Sequence, residues 1–102
     1  MIDVLARAEL ATFSEIVGGT FDIIGPVGDE PVCVWSLVEA NVLPHGQPGG
    51  REPFSLIFEG PAVPALPQGT YVLRNSNVGG MPMFVVPISE RADTRRYQAI
   101  FN

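Results

Sequence analysis

Apolar residues recur at every second position through much of this chain, and Gly and Pro gather where the alternation stops. In REPFSLIFEGP, residues 51–61, Phe54, Leu56 and Phe58 alternate with Ser55, Ile57 and Glu59. That period predicts a strand with one buried face. The same reading along the chain places strands at about 19–25, 32–43, 52–59, 69–75, 81–88 and 96–101. Val32 to Leu43 is nearly continuously apolar and carries Trp35, the pattern of a central strand covered on both sides. Tyr71 and Leu73 share a side opposite Val72, and Tyr97, Ala99 and Phe101 point inward from the last strand. Phe84, Val86 and Ile88 alternate with Met83, Val85 and Pro87. Pro82 and Pro87 cannot donate ladder hydrogen bonds, so they mark an edge or a bulge.

The N-terminal part differs. Thr12-Phe13-Ser14-Glu15 fits the capping box, in which Thr caps a helix and Glu reaches back to the Thr amide. A short helix over about 12–17 follows, stopped by Gly18 and Gly19. Between the strands, Pro44 to Gly50 is a loop, Gly60-Pro61 ends the third strand, and the Pro-rich segment up to Gly69 is an ordered crossover. Asn75 to Gly80 has the Asn and Gly residues of a hairpin loop, and Ser89 to Arg96 reads as a polar loop.

Short strands at this spacing predict one mainly β domain over residues 1–102: a small six-stranded antiparallel barrel or sandwich with one short N-terminal helix. A partly open barrel is preferred, because six short strands make two thin sheets. The helix then plugs one end or covers the open edge.

Composition narrows the function classes. A chain of 102 residues that is 46% apolar supports a single core. The net charge is −5 and every basic residue is Arg, so the basic footprint of a nucleic-acid or anionic-lipid binder is missing. Cys33 stands alone, which excludes an internal disulfide, and its apolar surroundings predict a small buried hydrophobe. MIDVLARAEL lacks the basic and apolar regions of a signal peptide, and no apolar run approaches the ~20 residues of a membrane helix. The expectation is a cytoplasmic protein, with signal-free export as the other route.

Candidate chemistry is sparse. His45, the single histidine, lies in a Pro/Gly loop with no carboxylate close in sequence to orient it. One His and one Cys do not make a zinc site. Glu52 and Glu59 fall on opposite faces of their strand, and Asp29-Glu30 sits at a turn tip. Arg91, Arg95 and Arg96 surround Glu90 and Asp93, the pattern of a self-compensating loop. The expectation is no catalytic residue, no cofactor and no metal. Arg51, Glu52 and Glu59 read as local pairing groups, and Arg51 is the first of them to test for contact with a partner.

FSLIFEGP at 54–61, QGTYVL at 68–73, MFVVPI at 83–88 and YQAIFN at 97–102 occur in the order found in a family of small bacterial proteins described as a domain of unknown function. The segment TFSEIVGGTF at 12–21 is also similar. This resemblance spans nearly the whole chain. It implies a compact β-rich module with no activity or catalytic residue to carry over, in proteins that accompany phage-tail-like or surface assemblies. The expected function is a non-catalytic structural or protein-interaction module that docks on a larger protein or self-associates. Strand addition at an edge would suit it, because a chain with no Lys lacks one common protection of sheet edges. The alternative is a small-ligand-binding barrel lined by Trp35, Tyr71, Phe84 and Tyr97.

Overall fold

The computed structural model describes residues 10–25, 28–43 and 53–101. A short helix, α1 (Leu10–Ser14), precedes β1 (Thr20–Ile24), β2 (Pro31–Val42), β3 (Phe54–Pro61), β4 (Gly69–Asn75), β5 (Gly79–Glu90) and β6 (Thr94–Phe101). All neighbouring strands are antiparallel and close into a barrel in the order β1-β2-β3-β6-β5-β4. The mainly β fold is as expected; the barrel, however, is closed instead of partly open. β1 makes the closure, with Asp22, Ile23 and Ile24 pairing Arg74, Leu73 and Val72 of β4. Among the described strands this leaves no unpaired edge.

Alternation sends one side of each strand inward. Phe21, Trp35, Phe58, Leu73, Val85 and Tyr97 come from the six strands in turn, and each is fully buried. Burying a side chain of this kind contributes about 1.5–3 kcal/mol. Trp35 and Tyr97 stack at the centre, centroids 4.1 Å apart and planes 12° from parallel. The indole packs close against Gly60: a Cβ there would sit 2.6 Å from Nε1 and closer still to Cδ1. Gly60-Pro61 is therefore not a strand stop. β3 continues through Pro61, pairing Gly60 with Arg95 and Pro61 with Thr94, and Gly60 is there because Trp35 needs the space.

The two ends of the barrel are closed differently. At one, Phe13 of α1 meets Phe54 and Phe101, which stack on each other at 4.8 Å. A five-residue helix has no stability of its own. It is held by Phe13 and by the chain after it, where Gly18 N–H donates to Leu37 O at 2.8 Å and Leu37 N–H to Gly19 O at 2.9 Å. Gly18 takes φ +97°, a left-handed turn that permits this approach. At the other end the crossover 62–68 lies over the opening. Leu66 N–H donates to Tyr97 Oη at 3.1 Å, Tyr71 O–H to Pro67 O at 2.8 Å, and Arg95 Nε to Ala62 O at 3.1 Å.

Three local expectations are corrected. α1 begins at Leu10, so Thr12 is inside the helix and does not cap it. β2 is covered on one side only, with Val32 and Val34 nearly half exposed, because each strand of a closed barrel has one face inside and one outside. β3 is the strand buried on both sides, through Ser55 and Ile57 as well as Phe54, Leu56 and Phe58. Finally, Ser89 to Arg96 is mostly ladder: Ser89 pairs Arg96 and Glu90 pairs Arg95 across a short turn. Pro87 sits at a bulge, as one of its two expected roles required, and Pro82 pairs Val72 within the closed sheet, not at an edge.

Candidate interaction surface

The aromatics expected to line a cavity do not share one. Trp35 and Tyr97 are stacked core residues, Tyr71 is half-buried under the crossover, and Phe84 points out of the barrel, 55% exposed. Small barrels are ordinarily filled by their own side chains, and among the described residues Phe21, Trp35, Phe58, Leu73, Val85 and Tyr97 belong to one buried cluster.

The half-buried Cys33 shares the inward side of β2 with Trp35. Burial pushes its thiol up from the ordinary value of 9.0, and the Trp35 indole beside it pulls part of the way back. That contact falls short of hydrogen-bond geometry, since Trp35 Nε1 has no partner among the described residues. Burial also raises the Tyr71 hydroxyl, helped by nearby Tyr97 and Cys33. A thiol held protonated is a poor nucleophile. Among the described residues no three of His, Cys, Asp and Glu come together as a metal site would need.

The outside of the barrel is more distinctive. On β5 the outward side presents Pro82, Phe84 and Val86 in succession, all exposed, and the exposed Ile88 stands at the bulge that follows. Register extends this stripe sideways: Phe84 pairs Thr70 and Pro82 pairs Val72 on β4, while Val86 pairs Gln98 on β6. Continuing the β5–β6 register sets Ile100 beside Phe84. Val72, Phe84, Val86, Ile88 and Ile100 are each 36–55% exposed. At those fractions they offer roughly 400 Å² of apolar surface, the size of patch that commonly carries a function.

Charges sit around this face, not in it. Arg74 Nη2 lies 3.5 Å from Asp22 Oδ2 on one side, and Arg95 Nη1 lies 2.6 Å from Glu90 Oε2 at the far end of β5. Arg96 bridges two strands, with Nε 3.0 Å from Glu59 Oε2 and Nη1 3.7 Å from Glu39 Oε2. Glu59 is thus a cross-strand pairing group. Arg95 and Arg96 belong to β6 instead of a loop, and the partners of Arg96 come from β2 and β3. Arg51, Glu52 and His45 lie outside the described residues.

A family model matches residues 8–101, nearly the whole chain. The chain belongs to the family described as Domain of unknown function (DUF6916). Comparison with curated proteins and with solved structures gave no match. The segments that carry the family resemblance therefore take their meaning from the barrel itself. FSLIFEGP is the doubly buried β3, with the glycine under Trp35 near its end, and MFVVPI lies in the strand that bears the exposed face. No helix among the described residues is long and apolar enough to cross a membrane.

Sequence reasoning passed over this face, although a signal for it was present. From Met81 to Ile88 both sides of the alternation are apolar, whereas a half-buried strand should be polar on its outward side.

Proposed function

We propose that this protein is a non-catalytic protein-interaction module that binds through the outer face of β5 and the neighbouring residues of β4 and β6. The observation that carries this is Phe84: a large aromatic side chain more than half exposed, flanked by Val72, Val86 and Ile100, with no charge among them. Central aromatic residues ringed by apolar neighbours are the usual anchors of protein contacts. The closed barrel favours contact through a face over the strand addition expected from sequence.

Site-specific photo-crosslinking of the full chain in its native cells tests this. A photoreactive residue at 84 should form protein adducts that disappear when Val86→Glu is added. The same probe at Val34, equally apolar and on the opposite strand of the ring, should form few. Absence of adducts at 84, or equal yields at 84 and 34, overturns the proposal.

A further inference from the structure

We propose that the occupant of the β5 face is a second copy of this chain, docked face to face about a two-fold axis; the inference rests on the interaction-surface reading above. Three features select a copy over another partner. The first is that β1 closes the ring of described strands, which favours association through a face over pairing of their edges.

The second is area. A standard-size specific interface buries about 800 Å² on each partner, and at the apolar share of about 65% found in homodimers this is roughly 500 Å². The exposed parts of Val72, Phe84, Val86, Ile88 and Ile100 supply roughly 400 Å² of that, and Pro82 lies among them.

The third is charge. A two-fold contact sets a surface against itself, so a charged centre would repel its copy. This face has none: Pro82, Phe84, Val86, Val72, Thr70 and Ile100 are uncharged. The Arg residues at its rim are already paired within the same copy, Arg74 with Asp22 and Arg96 with Glu59. An oppositely charged partner would find nothing to read here, while a second apolar face meets it without unpaired ions. The net charge of −5 per chain then acts only at long range, where salt screens it. Phe84 lies near the middle of the patch, so an axis passing close to it places each ring on the other copy's stripe.

The test is sedimentation velocity with light scattering on the full chain over a dilution series. The expected result is a dimer dissociating in roughly the micromolar range, tightening as salt is raised. Phe84→Glu should weaken it by about 100-fold or more and Phe84→Thr by about 10-fold, both with an unchanged circular dichroism spectrum. Val34→Glu should leave it intact. Should Phe84→Glu fail to fold, the Thr variant decides. A chain monomeric at every concentration overturns the inference, as does a dimer indifferent to both Phe84 variants or one that salt dissociates. A monomer whose residue-84 crosslinker captures a different protein overturns the second copy and leaves the interaction face standing. A monomer that forms no adducts overturns both.

Discussion

Strands β2 and β5 are each 12 residues long and stand opposite each other in the ring. Inward they are alike, Trp35 and Leu37 on one and Met81, Met83 and Val85 on the other. Outward they are not. On β2 the exposed Val32 and Val34 give way to Ser36, Glu39 and Asn41, and Val34 pairs the charged Asp22 on β1. On β5 the exposed Pro82, Phe84, Val86 and Ile88 meet no charge before Glu90, and Val72 and Ile100 flank them beside the uncharged Thr70 and Gln98. Isolated exposed valines express strand propensity, whereas a contiguous apolar surface around an aromatic ring calls for a partner. The apolar content of a strand therefore says less about burial or binding than the company its side chains keep across the sheet.

Breaking the inward similarity should have the largest effect. Trp35→Ala is expected to cost about 3–5 kcal/mol and Met83→Ala about 2–5 kcal/mol in urea unfolding. Gly60→Ala should cost about 1–3 kcal/mol by forcing a methyl into the indole, and less when combined with Trp35→Leu.

The outward substitutions sharpen the difference. Phe84→Glu and Val34→Glu should each change the stability of the monomer by only about 0.5 kcal/mol, measured well below the association range. Phe84→Glu alone should alter sedimentation.

Of similar size is the effect of the Arg96 bridge, in which Arg96 and Glu59 are each about one-third exposed. Arg96→Gln should cost about 0.2–1 kcal/mol in unfolding experiments, and less as salt rises.

The last test concerns pH at Cys33. Its folded pKa is raised above the unfolded 9.0, so the protonated thiol's contribution is fully present below pH 9.0 and is lost as pH rises through the folded value. Stability followed through this alkaline range should fall, and Cys33→Ala should remove that part of the slope.

The fold was legible because period-two alternation survives any packing arrangement: Phe54, Leu56, Phe58, Tyr97 and Ala99 all face inward as their spacing requires. Boundaries were less legible where pairing overrides composition. Ser89 to Arg96 is polar enough for a loop, yet Glu90 and Arg95 continue the ladder and pair as ions. Gly60-Pro61 looks like punctuation until the indole above it is seen. Of the three residues singled out for pairing or partner contact, Glu59 is placed by the structure, at a cross-strand bridge beside the candidate face instead of within it.

The sequence by itself determined the mainly β class, the six strands and the inward residues of most of them. These follow from residue type and spacing along the chain. Only the tertiary structure decided that β1 closes the ring on β4, that β3 and not β2 is buried on both sides, and that Phe84 faces out beside Val72 and Ile100. Each of those depends on which strands become neighbours, and neighbours distant in sequence leave no local periodicity to read.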